Sequence, residues 1–163
     1  MEGAGQTMNP TQAHLLRTIL EAQQNAALGT LHDGDPFVSV VPFAIMPGGK
    51  GLVIHVSGLS AHTKDMVQHP IVSLMVMAAK SPDVSAQALP RATVQCESRR
   101  LETSDPAYAD ARKAYLGRFP EAVTTLTLAD FSLFFLTPLS VRLVGGFAQA
   151  ATLTPLNLAE ALA

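Results

Sequence analysis

The chain contains no tryptophan, a single cysteine and few charges, and each shortage removes a class of protein. With Cys96 alone no intrachain disulfide can form, so a disulfide-stapled secreted scaffold is excluded. Only 15% of the residues are charged and the formal net charge is −2, which leaves no broad basic surface for nucleic acid. The phenylalanines show no spacing of an RNA-stacking motif. The most apolar region, residues 131–144, is short for a membrane span and is broken by Pro138. Met1–Asn9 is polar, without the basic start and apolar stretch of a signal peptide. There is no G-x-S-x-G elbow of a serine hydrolase, and no carboxylate pair stands out as an acid/base couple. Gly48-Gly49-Lys50-Gly51 lacks the spacing and the Ser/Thr of a nucleotide P-loop and reads as a hairpin turn. These absences together predict a cytoplasmic protein with neither nucleic acid nor a membrane as partner.

What is present suits one domain with a substantial core, 163 residues long. At 48% apolar, the composition is rich for a soluble monomer and predicts burial against a second copy, a homodimer. Asn9-Pro10 reads as an N-cap and first helical residue, and Leu15, Leu16, Ile19 and Leu20 continue at helical spacing. Strands are predicted at 26–31, 37–45, 51–57, 71–78 and 90–102, with one or two more in 131–144. The second of these is apolar on both faces and is expected to be central and covered. His32-Asp33-Gly34-Asp35-Pro36 is a hairpin turn, Ser60–Gln68 a short helix, and Ser104-Asp105-Pro106 the cap of another. Pro138 is expected at a bulge or edge, and the residues after the final extended stretch are expected to be mobile. Six to seven antiparallel strands in consecutive hairpins, with helices in the connections, predict a mainly β (α+β) closed or split barrel.

The segment richest in chemistry is Ser57-Gly58-Leu59-Ser60-Ala61-His62-Thr63-Lys64. Hydroxyls, an imidazole and an ammonium gather where a helix begins, and a helix start carries unpaired N–H groups and partial positive charge. Ser60, His62, Thr63 and Lys64 therefore read either as a phosphate cradle or as an ordinary capped surface helix. Arg91 opens a strand and reads either as an anion ligand or as a strand-end arginine. Gly145-Gly146 permits close backbone approach to a ring or a subunit, or simply turns. His55, His62 and His69 recur every seven residues without a carboxylate or thiol at ligand spacing, so no metal site is predicted. Cys96 shares a strand face with Ala92 and Val94 and reads as a small buried hydrophobe.

The blocks PFVSVVPFAI, VSGLSAHTKDMVQHPIVSLMV, PRATVQCESR and VRLVGGFAQA resemble the pyridoxamine 5′-phosphate oxidase-like FMN-binding split barrels. They are most similar to the branch with the HugZ-type haem-degrading proteins, over residues 12–152. The resemblance implies a homodimer with FMN at the subunit interface, haem or a deazaflavin being the alternatives. Main-chain groups of Val38, Ser39, Val40 and Val41 would meet the flavin's polar edge. Ser60, His62, Thr63 and Lys64 would hold its phosphate, Arg91 would join the pocket, and Gly145-Gly146-Phe147 would close one end. The pattern departs from the vitamin B6 oxidases at Ser39, Ala44 and Ala61-His62, and Val141-Arg142-Leu143-Val144 stands where their C-terminal substrate motif would be. The haem-ligating C-terminal domain of the HugZ-type proteins is not expected in this sequence. The functional expectation is a flavin-dependent oxidoreductase. Its alternatives are a non-catalytic flavin or haem binder, with His14 or a partner histidine as haem ligand, and a dimer whose site has decayed. No catalytic residue is assigned.

Overall fold

A computed structural model describes residues 7–146 and 149–163. The chain opens with helix α1 (Pro10–Ala22), started by a reciprocal cap. Asn9 Oδ1 accepts from Gln12 N at 2.8 Å, and Gln12 Oε1 accepts from Asn9 N at 3.0 Å. Strands β1 (Asn25–His32) and β2 (Asp35–Pro42) follow as a hairpin. Its turn puts Asp33 at φ 51° and Gly34 at φ 86°, the left-handed pair that matches strand twist. Next come β3 (Ala44–Ile45), β4 (Leu52–Ser57), helix α2 (Ala61–Gln68), β5 (Ile71–Met77) and β6 (Arg91–Arg100). Helix α3 (Tyr108–Arg118), two 3-10 turns, β7 (Phe131–Gly146), β8 (Gln149–Leu153) and helix α4 (Pro155–Leu162) complete the chain.

All strand pairs are antiparallel, in the order β2-β1-β5-β6-β7-β4-β3, with β8 also on β7. This is the split-barrel architecture expected. The main core fills the concave side of the curled sheet: Leu28, Leu52, Ile54, Leu74, Val94, Phe134 and Leu136 meet Leu16, Ile19 and Leu20 of α1. A second cluster packs Ala111 and Tyr115 of α3 on Ala44, Val53 and Leu133. Arg118 of α3 locks the first core to the second. Its Nη2 donates to the carbonyls of Leu20, Glu21 and Gln23 at the end of α1, and its guanidinium lies 4.7 Å from the Phe43 ring centroid. Pro138 does mark a bulge: Gln95 pairs with Ser140 but Cys96 with Pro138, leaving Leu139 extra.

Two expectations are overturned. The Phe37–Ile45 stretch is not one central, covered strand. It is split at Phe43, and β2 is an edge strand with Val38 and Val40 67% and 69% exposed. An apolar run on both faces does not distinguish a strand covered by its own chain from one left open for another surface. The C-terminal residues do not trail loosely either. Thr154 and Asn157 form a second capping box, and α4 buries Leu158 and Ala161. The Ser104-Asp105-Pro106 cap shifts slightly: Asp105 Oδ1 accepts from Ala107 N, and α3 begins at Tyr108.

Helix α4 docks where Gly49 leaves no room for a side chain. A Cβ there would lie 2.7 Å from Leu162 Cβ and 2.9 Å from Ala159 Cα, and the residue sits at φ +64°. Gly49→Ala is expected to destabilise the fold by about 2–4 kcal/mol, from overpacking plus left-handed strain. Urea titration measures this, and an unchanged midpoint would show that α4 is not clamped at this turn.

Candidate functional site

Strand β4 ends at Ser57, and the loop that follows is closed by its own polar groups. Gly58 N donates to Asp130 O. Ser57 Oγ donates to Asp130 Oδ2 at 3.0 Å and accepts from Leu59 N at 3.2 Å. Thr63 Oγ1 donates to Ser57 O at 2.7 Å and is buried. Thr63 thus helps to close the loop that leads into α2. Ser60 holds the N-cap position of α2, but its hydroxyl makes no capping bond. Its backbone acts instead: the N–H donates to Ser57 O, and the carbonyl accepts from Thr63 N and Lys64 N. The N–H groups of Ala61 and His62 find no acceptor among the described residues. The result is a helix start with free donors, a free hydroxyl and the exposed Lys64. His62 is half-buried; burial lowers its pKa, partly opposed by the charge of Asp65. Asp130 places one carboxylate at the loop entry.

Strand β2 divides the residues expected to meet the ring. Val38 and Val40 project from the outer face of the sheet, in register with Gly29 and Ser73, and with Ala27 and Met75. Val41 is buried on the inner face. Ser39 Oγ is buried without a hydrogen-bond partner among the described residues.

Arg91 and the glycines lie elsewhere. Arg91 pairs with Met77 and with Val144, next to Gly145 and Gly146, and its Nη1 donates to the carbonyls of Gln87 and Leu89. Part of its donor fork thus tethers the 79–89 loop. A Cβ on Gly145 would come within 3.2 Å of Leu15 Cδ2, and a cavity of about 470 Å³ opens beside it, lined also by Asn9, Gln12 and Gln149. Phe147 lies outside the described residues. Ser57 pairs with Phe131 at the start of β7, whereas Arg91 pairs with Val144 near its end. About 40 Å of strand contour, at roughly 3.3 Å per residue, separates the loop from the arginine. One chain brings Ser60, His62, Thr63 and Lys64 together, and Arg91 with Gly145 and Gly146, but keeps the two groups apart.

Three polar residues escaped the reading of the sequence. Asp65 is buried beneath α2 and bonds Thr30 and His32 of β1; no local spacing joins positions so far apart. His55 is 8% exposed, with its ring centroid 5.0 Å from that of Phe131 and 5.5 Å from that of Tyr115. It packs as a buried structural histidine. Among the described residues no cluster of three or more His, Cys, Asp or Glu could hold a metal. Cys96 is buried, which pushes its thiol up to about 12 and leaves it inert. No helix among the described residues is long and apolar enough to cross a membrane.

Comparison with known proteins matches residues 13–145 to the pyridoxamine 5′-phosphate oxidase family. The chain belongs to that family. It is 32% identical over 138 residues to the chloroplastic non-canonical heme oxygenase HOZ of Arabidopsis thaliana, covering 83% of this chain and 40% of that protein. A heme-binding protein from Mycobacterium smegmatis superposes with a TM-score of 0.82 at 29% identity, over 94% of this chain and 62% of that one. The chain thus spans only part of the length of these two relatives. HutZ, a heme storage protein of Vibrio cholerae, shares the fold with a TM-score of 0.67 at 23% identity, over 82% of this chain and 91% of that one. The split-barrel family includes haem-binding members, and the resemblance read from the blocks of sequence stands.

Burial lowers the pKa of His55 from 6.5, so the native state binds this proton less readily than the unfolded chain. Its contribution to stability is complete above pH 6.5 and is lost as pH falls through the lower native value. His55→Phe is expected to flatten the acid side of the stability profile, measured by urea denaturation between pH 7 and pH 5. An unchanged slope would mean that His55 titrates normally.

Proposed function

We propose that this protein is a homodimer that binds FMN and acts as a flavin-dependent oxidoreductase on a small organic substrate. The observation that carries the reading is the start of α2, with free N–H groups at Ala61 and His62, an unused Ser60 hydroxyl and the exposed Lys64. A phosphate monoester is the ligand chemistry that such a helix start suits. The exposed outer face around Val38, Val40, Ile71 and Met77 supports a second copy as its cover. The separation of Arg91 and Gly145-Gly146 from the loop supports a site completed across two subunits. FMN, when bound, supplies the hydride and electron chemistry. The chain's own residues bind the phosphate at α2, and the edge strand and the 79–89 loop border the substrate.

A second reading, haem binding, is favoured by the relatives named for haem. The same donors at α2 suit a propionate, and His14 is exposed on α1 as a candidate ligand.

An absorbance spectrum of the purified protein, repeated after adding excess FMN and removing the unbound fraction, separates the two. Retained flavin bands, about one flavin per subunit as one interface site per protomer requires, are the expected result. A Soret band on adding haem with no FMN retention moves the conclusion to haem, and retention of neither overturns both. Lys64→Ala removes a charge-assisted phosphate contact, so FMN affinity should fall at least about tenfold while riboflavin is little affected. Equal losses for both flavins would remove Lys64 from the phosphate site.

A further inference from the structure

We infer that Asp65 is a positioning residue for the start of α2: through Thr30 and His32 it holds residues 57–64 in the orientation that meets an anion. The inference rests on the phosphate reading of that loop for its ligand, but on geometry alone for the clasp.

Helix α2 has eight residues, too few to be stable by itself, so its orientation comes from tertiary contacts. Its buried residues are Thr63, Asp65 and Met66. Met66 packs without directional preference, and Thr63 ties the helix only to its own loop. Asp65 makes the directional tie to the sheet. Its carboxylate is 3% exposed and takes one donor on each oxygen: Thr30 Oγ1 on Oδ2 at 2.8 Å and His32 Nδ1 on Oδ1 at 2.7 Å. Thr30 and His32 are alternate residues on one face of β1. Two bonds to two points on a strand fix the helix in rotation as well as in place. Successive residues on a helix point about 100° apart, so rotation decides whether Lys64 and His62 flank the free N–H groups.

The charge arrangement also suits an anion site. An unpaired buried carboxylate beside Lys64 would repel a phosphate. Burial acts to raise the pKa of Asp65, but the hydrogen bonds from His32 and Thr30 and the charges of His32 and His62 outweigh it and hold the carboxyl low. The Asp65 hydrogen bond and charge raise the pKa of His32, slight desolvation opposes them, and Asp33 and Asp35 add to the rise. Asp33 Oδ2 lies 3.7 Å from Nε2, and the Phe37 ring centroid is 5.4 Å from that of His32. The pair is neutral overall while His32 carries its proton. That compensation is complete below pH 6.5 and is lost as pH rises through the raised value.

The test is Asp65→Asn, which keeps the size of the side chain. It also leaves the pair nearly uncharged, because His32 loses its cause for holding a proton. In wild-type protein the NMR titration of His32 is expected above 6.5, and the variant should return it toward that value. Amide exchange at residues 58–64 should quicken at least about tenfold, with β4 unchanged, as expected for local release without global unfolding. FMN affinity should fall about fivefold, the equivalent of one ordinary hydrogen bond, with riboflavin affinity unmoved. Unchanged exchange at 58–64, or equal weakening of both flavins, overturns the inference. Faster exchange in a protein that never bound FMN supports the clasp and sinks the flavin reading instead. Should Asp65→Asn fail to fold, Thr30→Val removes one of the two bonds and is expected to give the same pattern at smaller amplitude.

Discussion

The structure depends on one long strand. Strand β7 runs sixteen residues and pairs with β4 along its first part, with β6 from Phe134 to Val144 and with β8 at its end. A strand with three partners forces the sheet to curl, and the bulge at Leu139 lets the register change without breaking the ladder. The core residues Phe134, Leu136, Val141 and Leu143 all come from this strand, on the side that faces α1. The two ends of β7 also separate the two groups of candidate site residues, with Ser57 and Asp130 at one and Arg91 and Gly145 at the other.

At the first end, polar groups divide between holding the loop and leaving donors free. Ser57, Thr63 and Asp130 spend their side chains on closure. Asp65 spends its side chain on attaching the helix. Ser60, the first-turn N–H groups and Lys64 are what remain. A helix start built this way offers fixed backbone donors beside an exposed cation, so any polarity it presents comes first from preorganised N–H groups and then from side-chain reach.

The open face of β2, β1 and β5 is the other structural fact with functional weight. Val38, Val40, Ile71 and Met77 are exposed together on a chain with few charges, whereas scattered exposed apolar residues would need no explanation. The match to the pyridoxamine 5′-phosphate oxidase family and the haem-named relatives agree on the frame.

The local patterns were legible without the fold. Asn9-Pro10, Asp33-Gly34, Gly48-Gly49 and Pro138 each act locally, Asn9 through its side-chain cap on Gln12 and the others through their own backbone, so the α1 start, both turns and the bulge follow from nearby residues. The alternation in Arg91–Arg100 likewise shows which side is buried. The anion-suited start of α2 was visible because capping chemistry is local, and the family resemblance lay in contiguous blocks. Three things were decided only by the tertiary structure. The exposure of β2 depends on where the sheet ends, which an apolar run does not encode. The docking of α4 depends on the space above Gly49, supplied by a turn far away in sequence. The clasp of Asp65 on Thr30 and His32 joins residues more than thirty positions apart, and a buried carboxylate takes its meaning from its partners, which only folding brings to it.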